Sequence, residues 1–343
     1  MKLDSTWTGF LVVVIAGLAL LVFIPEFVSL FGVIQMTLLV AMAMYALSQG
    51  FLWGYSGVMC FGQASFIGLG AYAYAITAIN LGGTSWAVLA SILIPAIFAL
   101  ILGYFMFYGR ISDAYVSVIT LTVSVILFQL INATSGPQYH LGHAELGGFN
   151  GIPSVPVLNI PGDMSATLGP ADIWYVSMAL LIIVYVLLRF ILASRLGRVM
   201  VAIRENETRA MLLGYDARLY KLIAFMISAA IAGLAGCIYV NWSGFISPTI
   251  FALPISAEVI IFVLVGGLGT LIGPILGAVG LQYLINLAGT QHVINPDLGL
   301  GAVLIVFVLL VPQGVVPVIR DRLARLMERR KLYEDDHVKE GSL

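Results

Sequence analysis

Residues 27–109 read FVSLFGVIQMTLLVAMAMYALSQGFLWGYSGVMCFGQASFIGLGAYAYAITAINLGGTSWAVLASILIPAIFALILGYFMFYG, 83 residues without one Asp, Glu, Lys or Arg. Two softer interruptions, Trp53-Gly54-Tyr55-Ser56-Gly57 and Asn80-Leu81-Gly82-Gly83-Thr84, cut this stretch into three apolar blocks. A helix needs about 20 residues to cross the hydrocarbon core of a bilayer. The blocks at 33–52, 58–79 and 86–108 each have that length. In lipid every backbone N–H and C=O must find its partner within the protein, so each block is predicted to be a helix.

Working outward by the same rule, further spans are expected at 9–30, 114–132, 173–193, 219–241 and 298–318. Segment 256–289 is too long for one helix and is split by Gly266-Gly267-Leu268-Gly269-Thr270 and by Gly273-Pro274, which reads as two short spans joined by a tight turn. The expected fold is therefore an all-α polytopic membrane protein of about ten spans. Composition agrees: 61% of residues are hydrophobic and 10% charged, against roughly 25% charged in soluble domains. Mean hydropathy is +1.04. Residues 1–25 show no small-x-small cleavage pattern and read as a retained first helix, not a signal peptide. Cys60 and Cys237 lie inside apolar stretches and read as small buried hydrophobes, not as a disulfide or a metal site.

The few charges are concentrated, with 22 of the 33 falling in windows 195–221 and 320–340. With the N-terminus in the cytoplasm, alternation makes 53–57, 109–113, 194–218, 266–273 and the tail cytoplasmic. All 16 Lys and Arg residues then fall on that side or at the adjoining helix ends, and the outer loop at 133–172 holds none. The positive-inside bias is thus satisfied with both termini cytoplasmic. The expected division is a transmembrane domain over 1–319 and a charged cytoplasmic tail over 320–343.

Within cytoplasmic loop 194–218, Val199, Ile203, Ala210 and Leu213 recur at helical spacing, and Gly214 stands where a left-handed cap ends a helix. A short amphipathic helix at the membrane surface is predicted. Its polar face carries Arg204, Glu205, Glu207 and Arg209, a mixed-sign surface suited to a protein partner. The alternative is a solvated linker that serves only the charge bias.

Several motifs then combine. The loop reads Gly197-Arg198-x-x-x-Ala202-Ile203-Arg204-Glu205-Asn206-Glu207, followed by Gly214-Tyr215-Asp216, Lys221-Leu222-Ile223-Ala224-Phe225 and Ala232-Gly233-Leu234-Ala235-Gly236. Elsewhere stand Tyr45-Ala46-Leu47-Ser48, Trp53-Gly54-Tyr55-Ser56-Gly57, Phe61-Gly62-Gln63-Ala64-Ser65-Phe66, Gly68-x-Gly70-Ala71-Tyr72, Gly147-Gly148-x-Asn150-Gly151-Ile152-Pro153 and Gly266-Gly267-x-Gly269-Thr270-Leu271-x-Gly273-Pro274. Over residues 35–318 the chain resembles the LivM-type permease subunits of branched-chain amino acid ABC importers. The resemblance implies a transport subunit, not an enzyme, working with a homologous second permease, two ATP-binding cassette ATPase subunits and an extracytoplasmic solute-binding protein. It also implies multi-pass residence among the lipids of the bacterial cytoplasmic (inner) membrane. Loop 198–214 would be the coupling helix that docks into the ATPase, with Arg204, Glu205, Glu207, Arg209 and Gly214 as coupling residues and Glu207 meeting a basic residue of the ATPase cleft. The chain has no Gly-x-x-x-x-Gly-Lys-[Ser/Thr] phosphate loop, so it is expected to borrow its energy from such a partner.

The glycine-rich stretch 54–70 suits either of two roles, a translocation path through a broken helix or close helix packing. The path reading takes Gly54, Gly57, Gly62, Gln63, Ser65 and Gly68. Glu258 stands near the start of a late span, where a carboxylate is functional if it faces the interior and is merely solvated if it lies at the outer interface. His140, His143 and Glu145 give a His-x-x-His-x-Glu pattern, but Gly142 and the surrounding turn signals offer no helix to align ligands, and no metal site is expected. No catalytic residue, cofactor or nucleic-acid partner is implied.

Relatives that import urea or short-chain amides carry the same glycine motifs and form the alternative reading. A proton- or sodium-driven secondary transporter would want paired charges at the midplane, and an integral-membrane enzyme a cluster of His, Asp or Cys near one face. The spans offer neither pattern.

Overall fold

The computed structural model describes residues 7–290 except 137, 161 and 162. Nine apolar helices run through it. They are α1 (Trp7–Phe27), α2 (Leu30–Phe51), α3 (Gln63–Leu81), α4 (Thr84–Tyr108), α5 (Asp113–Asn132), α6 (Pro170–Ala193), α9 (Ala217–Ser243), α10 (Leu253–Gly266) and α11 (Ile272–Thr290). Two short helices, α7 (Arg195–Glu205) and α8 (Glu207–Leu212), separate α6 from α9. Among the described residues seven helices are long and apolar enough to cross a membrane, with α10 and α11 as two shorter apolar helices. Over 256–289 the chain thus forms two short apolar helices with a turn at the predicted glycines. The expected helix at 298–318, the tail at 320–343 and the extreme N-terminus lie outside the described residues.

The centre of the molecule is α9, which packs on α2, α3 and α4. Its buried face is built of Ala224, Ser228, Ala229, Ala232, Gly233, Ala235 and Gly236. A side chain at Gly70 of α3 would collide with the backbone of Gly233, and one at Gly236 would collide with the Ile67 carbonyl. Lipid tails are as apolar as leucine, so close backbone approach through small residues supplies the packing that water supplies in a soluble core.

Two prolines sit inside spans, and each leaves the carbonyl four residues earlier without its helical donor. Pro25 of α1 frees the Leu21 carbonyl, and the Trp174 indole N–H from α6 donates to it at 3.3 Å. Pro95 of α4 frees the Ser91 carbonyl. Gly233 of α9 is packed directly onto that oxygen, where a Cβ would collide with it.

Three expectations about element boundaries are corrected. The second span does not stop at residue 52; it continues as a π-helical turn over Leu52–Ser56 and ends at Gly57, which has φ +77°. The third span begins at Gln63, not 58, and residues 57–62 are non-helical. The segment between α5 and α6, expected as an outer loop, carries short strands, so the fold is not purely α. Strands β1 (His140–Leu141) and β2 (Ala144–Glu145) form one antiparallel pair, and β3 (Asn159–Ile160) and β4 (Asp163–Thr167) form another. Glycines 142, 147, 148 and 151, all at positive φ, turn that segment where residues with a Cβ would be strained.

The connections sort to two ends. At one end the strand-bearing segment is tied to the α3–α4 turn and to the end of α9. Asn80 Nδ2 donates to the Leu141 carbonyl at 2.8 Å while its Oδ1 accepts from His143 N at 2.7 Å. Asn159 Oδ1 accepts from Thr84 N at 3.1 Å, and Ile152 pairs with Ile246. At the other end α7 packs on the π-helical turn, and Lys221 at the start of α9 reaches Asp113 at the start of α5.

Candidate functional site

The site is built on α7 and α8, the segment predicted as one amphipathic helix. Two helices form because Asn206 adopts an extended conformation (φ −160°, ψ 100°) and caps the second, its Oδ1 accepting from Arg209 N at 2.8 Å. Val199, Ile203 and Ala210 are buried as predicted and make a small apolar cluster with Ala217. Leu213 was expected on the same stripe but is 73% exposed, alongside Leu212 and Met211. The break at Asn206 resets the helical phase, so a spacing counted through it fails for the last turn. Gly214 has φ +87°, as a left-handed cap requires, and a Cβ there would meet nothing within 4 Å. Its requirement for glycine is therefore conformational and not steric.

The charged residues of the expected polar face separate into three environments. Glu207 Oε2 pairs with Lys221 Nζ at 2.8 Å, and the same ammonium reaches Asp113 Oδ1 at 3.1 Å. One lysine side chain, 11% exposed, thus links α8, α9 and α5. The carboxylate expected to meet a partner's basic residue is already engaged within the chain. Arg204 turns inward, its Nη1 donating to the Gly54 carbonyl and its Nη2 paired with Glu205. Arg209 is solvent-exposed. A cavity of about 550 Å³ opens beside the triad, lined among others by Arg110, Asp113, Glu207, Arg218 and Lys221.

Of the two readings of stretch 54–70, close packing accounts for most of the glycines. A Cβ at Gly62 would collide with the Thr120 carbonyl, one at Gly68 with the Phe251 ring, and one at Gly54 would stand 3.0 Å from Gly269 N. Gln63 is fully buried, its Nε2 donating to Ser48 Oγ and Ser228 Oγ, each at 2.9 Å. Gln63 Oε1 and Ser65 Oγ are buried without a hydrogen-bond partner, so this polar knot between α2, α3 and α9 has unused capacity. Next to the non-helical stretch 57–62 lies an apolar groove of about 350 Å³, lined by Met59, Phe61, Leu121, Ser256, Ala257 and Ile260.

Glu258 is half-buried in the first half of α10. His140 and Glu145 face each other across β1–β2 and are exposed. Among the described residues no three His, Cys, Asp or Glu side chains gather as a metal site. Cys60 and Cys237 are free and buried.

Residues 33–311 match the model of the family described as branched-chain amino acid transport system, permease component. The chain belongs to this family. The match runs from the start of α2 through α11 and so includes both glycine breaks and the whole of α7 and α8. The chain is 28% identical over 333 residues to the high-affinity branched-chain amino acid transport system permease protein LivM of Escherichia coli strain K12, covering 90% of this chain and 75% of that protein. It is 28% identical over 293 residues to the protein of the same name from Salmonella typhimurium strain LT2, covering 79% of this chain and 66% of that one. No solved structure matches. As a permease component of this family the chain is a multi-pass membrane protein.

Sequence reasoning missed the Asp113–Lys221–Glu207 link and the asparagine clamps on the outer segment. Asn241 is the clearest of these, its Oδ1 accepting from Leu158 N at 2.8 Å and from the Tyr74 hydroxyl at 3.2 Å. The available signal was a lone asparagine in the last turns of an apolar helix, where an unpaired amide is costly.

Proposed function

We propose that this chain is the permease subunit of an ATP-driven importer of branched-chain amino acids, with residues 194–218 as its coupling segment. The observation that carries the reading is the conjunction of family membership with an inward-anchored surface segment. Val199, Ile203 and Ala210 seat α7 and α8 on the body of the protein. Met211, Leu212 and Leu213 stand exposed at the far tip, where an ATPase would bind. The two E. coli and Salmonella relatives are named for high-affinity transport of branched-chain amino acids, and aliphatic solutes fit a protein whose groove at Met59, Phe61 and Ile260 is apolar.

The working assembly has this permease beside a homologous one, two ATPase subunits under them and a loaded solute-binding protein on the outer segment 133–172. The membrane is the bacterial cytoplasmic (inner) membrane, with both termini cytoplasmic, ten spans over 1–319 and a charged tail over 320–343. Nucleotide-driven approach of the ATPases displaces α7 and α8, and the spans rock between outward-open and inward-open states about a fixed path. Within this chain Gly54, Gly57, Gly62, Gln63, Ser65 and Gly68 form the packed neck beside that path, and Arg204, Glu205, Glu207, Arg209 and Gly214 form the coupling unit.

The test is reconstitution of this chain in proteoliposomes with its cognate ATPase, sibling permease and binding protein. Labelled leucine should accumulate only with ATP inside, while labelled urea should not. ATP-dependent urea uptake without leucine uptake would transfer the chain to the urea and amide importers.

A further inference from the structure

The two glycine-broken helix pairs meet at one place, and a single side chain sits over the junction. The first break is the π-helical turn Leu52–Ser56 with Gly57 at φ +77°. The second is the turn between α10 and α11, with Gly267 at φ +109° and Gly269 at φ +77°. Their backbones touch, since a Cβ on Gly54 would stand 3.0 Å from Gly269 N. Arg204, from the last turn of α7, lies across both. Its Nη1 donates to the Gly54 carbonyl, its Cγ would be 3.0 Å from a Cβ on Gly57, and the same Nη1 would be 3.7 Å from a Cβ on Gly269.

The chemistry explains why an arginine stands here. Carbonyls in the last turn of a helix have no following N–H, and the left-handed Gly57 turns the chain away before it can supply one. Gly54 is buried, so its oxygen needs a donor from elsewhere in the protein. A guanidinium carries five N–H groups in a rigid fork and serves a carbonyl and the Glu205 carboxylate together. The glycines at 57 and 269 leave the room through which its stem and head pass.

We infer that Arg204 is a positioning residue for transport, a latch by which the coupling segment holds the two helix breaks together. Although the residue is partly exposed, its guanidinium is engaged within the permease, on the Gly54 carbonyl and Glu205. When α7 is displaced, the guanidinium leaves the Gly54 carbonyl and the ends of α2 and α10–α11 are free to part. This rests on the importer reading above and assigns Arg204 a role distinct from docking.

The experiment uses the complete transporter in proteoliposomes, comparing wild type with Arg204→Gln, Arg204→Lys and Gly57→Ala. Leucine uptake, ATPase co-purification, and ATP hydrolysis with and without loaded binding protein are measured. A latch predicts that Arg204→Gln keeps its ATPase but hydrolyses ATP whether or not loaded binding protein is present, with uptake lower by about tenfold, a loss typical of a broken coupling between sites. Arg204→Lys, retaining a charge and a donor, should recover part of both, and it carries the same readout should the Arg204→Gln chain itself fail to fold and insert. Gly57→Ala should uncouple in the same direction, because its methyl meets the arginine stem. Wild-type coupling in Arg204→Gln overturns the latch, and so does loss of the ATPase from that complex, which would make Arg204 a docking contact. If the wild-type complex itself moves no leucine, the importer reading falls and the latch falls with it.

Discussion

Gly70 and Gly214 are both glycines a sequence reader would mark, and they are glycine for different reasons. Gly70 lies against the backbone of Gly233, where a Cβ has no room; Gly214 has open space but φ +87°. Gly70→Val should therefore push α3 off α9 and cost about 1–3 kcal/mol or more, as overpacking does. The check is a lower thermal midpoint of the detergent-solubilised protein, and an unchanged midpoint would show that the contact is slack. Gly214→Asn should leave leucine uptake near wild type, since asparagine visits the left-handed region readily. Gly214→Val should abolish uptake while the chain stays inserted, because a β-branched residue cannot hold that conformation. The left-handed cap at Gly214 was legible because it ends a periodic apolar pattern. The collision at Gly70 was not, because the partner glycine is more than 160 residues away.

The α7–α8 segment and the strand-bearing segment between α5 and α6 are held by polar ties at opposite ends of the helix bundle. Glu207→Lys places an ammonium against Lys221 and should abolish leucine uptake without preventing insertion. An exposed linker predicts near-neutrality instead. Exchanging the charges, Glu207→Lys with Lys221→Glu, should restore uptake only in part, because the new carboxylate at 221 would then face Asp113. Full restoration would mean that the Asp113 arm contributes nothing. At the other end, Asn241→Leu removes the acceptor shared by Leu158 N and the Tyr74 hydroxyl, at about 1–3 kcal/mol for the groups left buried and unpaired. Its expected signature is faster proteolysis within 155–168, with the helices still intact. The apolar stripe of α7 was readable from spacing. The stop at Asn206 was not read, because asparagine is ordinary in a polar loop and becomes a cap only when its side chain finds the Arg209 N–H.

Across the whole molecule, the grouping of connections at two ends sets up the topology test. In a background lacking Cys60 and Cys237, single cysteines in 133–172 should react with an impermeant thiol reagent from outside. A cysteine at 205 should react only once the membrane is opened, and outside labelling there would invert the orientation. Purified alone, the chain should show no ATP hydrolysis. Hydrophobic runs, their lengths and the clustering of charge determined by themselves that this is a polytopic helical membrane protein, roughly where its described helices fall, and which loop carries an amphipathic segment. Those properties follow from transfer of each segment between water and lipid, a local sum over its own residues. Tertiary structure alone decided that α9 is the central helix, that the two glycine breaks touch, that Arg204 turns inward to Gly54, and that Glu207 belongs to Lys221. Each of these is a pairing between distant residues, and in a chain this rich in glycine and alanine many pairings are equally apolar. What selects one is which backbones can approach without a Cβ between them and which buried polar groups find a donor there, and neither condition is defined until the helices are packed.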